Sequence, residues 1–244
     1  MLLLDEADYY LFECKAIPPP AYFVLGFTAT KFKPQPSIEA QYLEALGVKT
    51  FDSKIKQSYT SHSYDPIDSF EDFFDTTKRA KLIYTSEAQV EKITDLAKKN
   101  GYERIIKNCK DLKIIANIRP TDCLIITSNS ILLLRGVDYR CHTGADLLIA
   151  ESLPSERSLV QALGRVGRAN DDCERYLLKS IKPVNVGKEN ELVGDLKKMT
   201  GEIQAAKVQA RKDRTNQMKI EKQAHAKQSS SNSSPIRGTT TTHN

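Results

Sequence analysis

The residues best suited to chemistry fall in three clusters. Asp5-Glu6-Ala7-Asp8 follows the apolar run Leu2-Leu3-Leu4. A short apolar run ending in carboxylates predicts a buried parallel strand that delivers acids to its C-terminal edge, where open α/β sheets place ligands. One carboxylate there can hold Mg2+ by its charge, and a neighbour can orient and deprotonate a water. Taken alone, the tetrad is equally well an acidic turn. Thr28-Ala29-Thr30 closes a second apolar run, Tyr22 to Phe27, and its hydroxyls can hydrogen-bond carboxylates on an adjacent strand end. The third cluster is Gln161-Ala162-Leu163-Gly164-Arg165-Val166-Gly167-Arg168. Arg165 and Arg168 are spaced for one face at the solvent end of a helix that starts near Ser155, and the glycine before each lets another surface or a phosphate approach the backbone. Two permanently charged forks on one face suit a polyphosphate. The bland alternative is a solvated basic helix end.

In this order the clusters resemble the motifs of superfamily 2 helicases, the DEAD-box and DExH group: DEAD as motif II, TAT as motif III and QxxGRxGR as motif VI. Arg135-Gly136-Val137-Asp138 resembles the RGxD of motif V, and Leu82-Ile83-Tyr84-Thr85-Ser86 resembles motif IV. Each match alone is weak; five in order over residues 1 to about 180 are specific. The resemblance implies ATP and Mg2+ as cofactors and RNA or DNA as partner. It implies that Asp5 holds Mg2+ through water and that Glu6 positions the attacking water. Asp8 with Thr28 and Thr30 would couple nucleotide state to nucleic-acid grip, and Arg165 and Arg168 would act as arginine fingers. Gly136 and Asp138 would lie beside the ribose, with Gln161 also on the nucleotide side. Thr127 and Ser128, with Thr85 and Ser86, would take nucleic-acid backbone phosphates. The implied activity is an ATP-dependent helicase or translocase that unwinds or remodels RNA or DNA. The alternative is a non-catalytic helicase-like module that binds nucleic acid or a partner.

The sequence also departs from the family pattern. Gln161-Ala162 stand where DEAD-box members have His-Arg, closer to the DExH or remodeller pattern. The run Thr127 to Leu134 precedes Arg135 where motif V has Thr followed by an acid. The span from Gly101 to Thr127 lacks a basic nucleic-acid-contacting loop, which leaves DNA versus RNA open. No GxxxxGK[S/T] occurs; Gly47-Val48-Lys49-Thr50 lacks both required glycines. Without that loop no backbone amides cradle a β-phosphate and no lysine reaches the β/γ oxygens, so this chain alone is expected to be inactive as an ATPase. The acidic strand begins at residue 2, which suggests a natural truncation or a fragment whose N-terminal helicase half belongs to a longer gene product.

The expected fold is α/β, a RecA-like parallel sheet with crossover helices. Residues 1–30 read as the remnant of a first RecA-like domain, 31–78 as an interdomain linker and 79–185 as a complete second RecA-like domain. Residues 186–228 read as a helical basic extension, and 229–244 as a low-complexity disordered tail. Strands are expected at Lys81 to Thr85, Glu103 to Ile106, Asp122 to Thr127, Asp146 to Ala150 and Glu174 to Leu178, and helices at Glu87 to about Lys99, capped by Gly101, and at Ser155 to Leu163. In the linker a short amphipathic piece runs from Ser37 to Leu46. Phe70, Phe73 and Phe74 there read as core packing, or else as a partner dock.

Of 244 residues, 36 are Lys or Arg and 31 Asp or Glu, giving a formal charge of +5. Essentially all of that excess lies beyond residue 200, where Arg211, Lys212, Arg214, Lys219, Lys222 and Lys227 can neutralise phosphates or simply line a solvated helix. Leu192, Leu196, Met199, Ile203, Ala206 and Ala210 form a short coiled-coil-type seam, suited to packing on the domain or to self-association. No apolar run reaches the length of a membrane span and no signal-peptide pattern opens the chain. An intracellular protein of nucleus or cytoplasm, without membrane, is the expectation. Five scattered cysteines with no CxxC read as core residues or free thiols rather than a disulfide or zinc framework.

Overall fold

The computed structural model describes residues 2–4, 7, 11–12, 24–26, 36–49, 63–134, 139, 141, 143–167 and 172–231. Near the start, β1 (Leu2–Leu4) and β2 (Val24–Gly26) pair in parallel as a small two-stranded sheet. Helix α1 (Ile38–Leu46) is N-capped by Ser37, whose hydroxyl accepts from the Ala40 amide at 3.2 Å, and ends at Gly47 with φ +78°. A left-handed terminus of this kind favours glycine because no Cβ meets the carbonyl.

The main body is a six-stranded parallel sheet. Its elements in chain order are β3 (Asp65–Ile67), α2 (Phe70–Phe74), β4 (Ala80–Thr85), α3 (Val90–Lys99, entered through a 3-10 turn at Glu87–Gln89), β5 (Arg104–Lys107), α4 (Leu112–Ile115) and β6 (Asp122–Thr127). A kinked 3-10 segment (Ser128–Leu134) then leads to β7 (Ala145–Ile149), α5 (Glu156–Leu163), β8 (Arg175–Leu178) and α6 (Val186–Ser231). The spatial order is β3-β8-β7-β4-β6-β5, every pairing parallel. This is the parallel α/β sheet with crossover helices expected from the alternation of β-branched runs and helices. The expected strands of the body lie within a residue of the observed ones.

Alternation along the central strands builds two cores. Leu82, Tyr84, Leu124, Ile126, Leu147 and Ile149 face one side, under Ile115, Leu134, Ala162 and Leu163. Ile83, Cys123, Ile125 and Leu148 face the other, under Phe70, Phe73, Phe74, Val90, Ile93 and Ala97. With both faces covered, every residue of β4, β6 and β7 is buried, as parallel sheets require. Each large aliphatic side chain so enclosed contributes about 1.5–3 kcal/mol.

Charges pin the amino edge of this sheet. Lys81, fully buried, donates from Nζ to Asp146 Oδ2 (2.8 Å), Thr76 Oγ1 (2.7 Å) and the Thr77 carbonyl (2.9 Å), and its ammonium sits 4.6 Å from the Phe73 ring centroid. Asp146 also accepts from Arg79, Thr77 and the Glu174 amide. On the neighbouring pair, Arg104 forks onto the buried carboxylate of Asp122.

Three expectations are revised. The stretch read as a linker, 31–78, contains β3 and α2, and both belong to this body: β3 pairs with β8, and the phenylalanines of α2 fill a core. Pro66 and the flanking acids disguised β3, which is an edge strand, a position where a sheet tolerates proline. The expected helix from Glu87 is α-helical only from Val90. The tail helix runs on to Ser231, past residue 228, while residues 232–244 lie outside the described residues. The first part of the seam on α6 packs on α1: Leu192, Leu196, Met199 and Ile203 close on Tyr42 and Leu43 of α1 and on Leu11 and Phe12, whereas Ala206 and Ala210 are exposed. Cys109, Cys123, Cys141 and Cys173 are free thiols; burial pushes that of Cys123 up to about 12. No helix among the described residues is long and apolar enough to cross a membrane.

Candidate nucleic-acid interface

The connection leaving β4 runs through α3 over one face of the sheet, whereas those leaving its neighbours β6 and β7 run over the other. The carboxyl end of β4 is therefore where the chain parts, the position at which open α/β sheets form a ligand crevice. Register brings Thr85 opposite Thr127 there, and the Ala150 amide donates to the Tyr84 carbonyl at 2.8 Å. Ser86 and Ser128 follow their threonines into the two loops, each half-buried. Exposed Asn129 donates from Nδ2 to Glu87 Oε1 at 3.3 Å, tying the loops together. Thr85, Ser86, Thr127 and Ser128, widely separated in sequence, are thus one cluster.

Within it the hydroxyls differ. Thr127 is 1% exposed and clamped by Asn108, whose Oδ1 accepts the Thr127 amide at 2.9 Å and whose Nδ2 donates to Thr127 Oγ1 at 3.0 Å. Asn108 holds φ +46° and donates its own amide to the Ile125 carbonyl at 2.8 Å. Asparagine is among the few side chains that visit this region readily. The reading of the sequence missed Asn108; the signal available was an asparagine one residue past a strand. Thr85 is fully buried, and its hydroxyl has no hydrogen-bond partner among the described residues. The surface is presented by Ser86, Ser128 and Asn129.

On the other flank, α5 begins at Ser155, whose hydroxyl accepts the Ser158 amide at 3.1 Å, and stops at Gly164. Arg165 therefore lies in a turn past the helix, not on its solvent-facing end. It is 5% exposed, and its Nε donates to the Leu134 carbonyl at 2.6 Å. A fixed carbonyl replaces water for part of the guanidinium, which makes the burial tolerable. Gln161 is buried on α5. Arg175 of β8 reaches back into the turn, donating from Nε to the Leu163 carbonyl and from Nη2 to that of Val166, both at 2.7 Å. Gly167 has φ +71°, and a Cβ there would fall 2.2 Å from Cys173 Sγ. The surface that approaches this glycine is the chain's own, from Cys173 and Arg175. Burial raises the Cys173 thiol above its ordinary value, against the opposing pull of Arg175.

Asp5, Glu6, Asp8, Thr28, Thr30, Arg135, Gly136, Asp138 and Arg168 lie outside the described residues. Among the described residues no cluster of acids, histidines or cysteines could hold a metal, and both Gln161 and Arg165 are turned into the domain.

No family model matches the sequence, and no curated protein matches it. Solved structures do. S. cerevisiae Dbp5 bound to RNA and ADP BeF3 is similar at 15% identity with a TM-score of 0.48, over 82% of this chain and 56% of that one. A leucine-to-valine variant of Dbp5 in the same complex gives 14% identity and a TM-score of 0.47. The chain spans just over half the length of these structures.

Proposed function

We propose that the chain is a helicase-type nucleic-acid module, part of an ATP-dependent machine that unwinds or remodels RNA or DNA between two RecA-like halves. The supporting observation is the convergence of the Ser86-Glu87 and Ser128-Asn129 loops at the carboxyl edge of β4 and β6, joined by the Asn129–Glu87 hydrogen bond. Hydroxyl and amide groups on such an edge suit backbone phosphates, contacts that set position without reading sequence. In this reading Ser86 and Ser128 touch phosphate, and Thr85 and Thr127 support them from behind. Asp5, Glu6, Asp8, Thr28, Thr30, Gly136, Asp138, Gln161, Arg165 and Arg168 are candidates for the ATP and Mg2+ end.

The second reading is a binding module without turnover. It is favoured by the inward-turned Arg165, 5% exposed with its Nε on the Leu134 carbonyl. Fluorescence anisotropy with labelled RNA and DNA oligonucleotides, alongside phosphate release from ATP, separates the readings. The chain should bind nucleic acid and release negligible phosphate. Removing two hydroxyl donors to charged phosphate at about 1.5–3 kcal/mol each, as in the Ser86→Ala, Ser128→Ala double variant, should weaken binding by roughly a hundred-fold or more. Nucleic-acid-stimulated turnover by the chain would remove the second reading, and failure to bind either nucleic acid would remove both.

A further inference from the structure

The two halves of α6 are different kinds of helix. Up to Ile203 it is held by apolar side chains against α1; from Gln204 to Gln223 every residue is exposed. The portion beyond Ile203 extends about 40 Å at the usual 1.5 Å rise. Its charges are sorted. At about 100° per residue, Lys207, Arg211, Arg214 and Lys222 fall within one arc of roughly 80°, with Lys212 and Lys219 widening it on one side. Asp213 lies on the far side and Glu221 at the margin. Both acids are engaged along the helix by glutamines, Gln209 to Asp213 at 2.8 Å and Gln217 to Glu221 at 3.1 Å. Among the described residues no carboxylate lies within ion-pair distance of the four cations of the stripe.

We infer that the exposed half of α6, through Lys207, Arg211, Arg214 and Lys222, is a second, sequence-independent grip on the sugar–phosphate backbone of nucleic acid, separate from the β4/β6 edge. The inference takes its partner class from the function proposed above. Charge complementarity argues for it, because a one-sided row of unpaired cations on a rigid rod matches a linear polyanion. The alternatives lack their own marks. A membrane-surface helix needs an apolar face opposite its charges, and a helical partner needs apolar anchors in a row. Here the exposed apolar residues Val208, Met218 and Ile220 point in three directions.

The test uses the whole chain without nucleotide, titrating a labelled single-stranded oligonucleotide by anisotropy between about 50 and 200 mM salt. The variant Lys207→Gln, Arg211→Gln, Arg214→Gln, Lys222→Gln keeps good helix formers, and circular dichroism checks that α6 persists. Four lost phosphate contacts at about 0.7 each should flatten the slope of log K against log salt by about 3. A control, Lys78→Gln, Lys92→Gln, Lys98→Gln, Lys99→Gln, removes the same formal charge from exposed positions just before β4 and on α3 and should keep the wild-type slope. An unchanged slope in the α6 variant, or an equal loss in the control, overturns the inference while leaving the proposed function standing. Binding of the wild-type chain to phosphatidylserine vesicles but to no nucleic acid overturns both.

Discussion

Asp146→Asn should be among the most destabilising single changes in the body of the protein. The carboxylate is fully buried and accepts four hydrogen bonds, from Lys81, Thr77, Arg79 and the Glu174 amide, two of them charged. Substitution turns one acceptor into a donor and leaves the Lys81 ammonium with only Thr76, the Thr77 carbonyl and the Phe73 ring. Breaking one side of a buried pair costs about 3–5 kcal/mol, a large fraction of a typical domain stability of roughly 5–15 kcal/mol. For a chain of this size that predicts a fall in Tm of about 6–20 °C. Replacing both buried partners, as in Asp146→Leu with Lys81→Met, should recover much of the loss, because no fully buried charge is left unpaired and Arg79, 21% exposed, keeps Asp172 at 3.8 Å. Burial already holds the Lys81 pKa below its ordinary 10.5, the opposing pull of Asp146 notwithstanding. Between the folded and unfolded values the unfolded chain carries more protons, so stability contributed through Lys81 rises with pH up to about 10.5. In Asp146→Asn this rise should start at lower pH. Urea unfolding at several pH values measures all of it. A cost under about 1 kcal/mol, or a double variant as unstable as the sum of the singles, would refute the buried-pair argument.

Two further substitutions probe the site. Gly167→Ala places a Cβ against Cys173 Sγ at a φ of +71° and should cost about 1–3 kcal/mol, read by thermal melting; an unchanged Tm would mean that the turn relaxes freely. Thr85→Val replaces a buried hydroxyl without a partner among the described residues by an isosteric methyl, so stability should hold or rise slightly. If nucleic-acid affinity also stays unchanged in anisotropy, the Thr85 hydroxyl has no part in binding.

Much of the sheet was legible because its strands are buried on both faces. Lys81 to Thr85 and Asp122 to Thr127 are short β-branched runs bounded by polar residues, and the pattern requires no knowledge of neighbours. β3 was not legible: three residues with a proline carry no periodicity, and the strand exists only because β8 offers it an edge. The site divides in the same way. The motif resemblance singled out Thr85, Ser86, Thr127 and Ser128 as phosphate contacts, and the register of β4 and β6 brings them together. The orientation of Arg165 could not be read, since spacing alone assumes that the helix continues, whereas Gly164 ends it and the Leu134 carbonyl captures the guanidinium. The Asn108 clamp was equally hidden, because its meaning depends on a strand on the far side of a helix.

The position of β3 has a consequence for the order in which the protein can be made. It is the first strand of the six-stranded sheet to be synthesised, yet its neighbour is the last: Asp65 pairs with Tyr176. Closing so long a loop costs chain entropy that no local contact offsets. As the chain emerges, α2 can lay its phenylalanines on β4 and α3 well before β3 has anywhere to dock. Arg175, on the same late strand, supplies the two hydrogen bonds that shape the turn carrying Arg165. The sheet edge and the arginine turn therefore mature in a single late event, the arrival of β8.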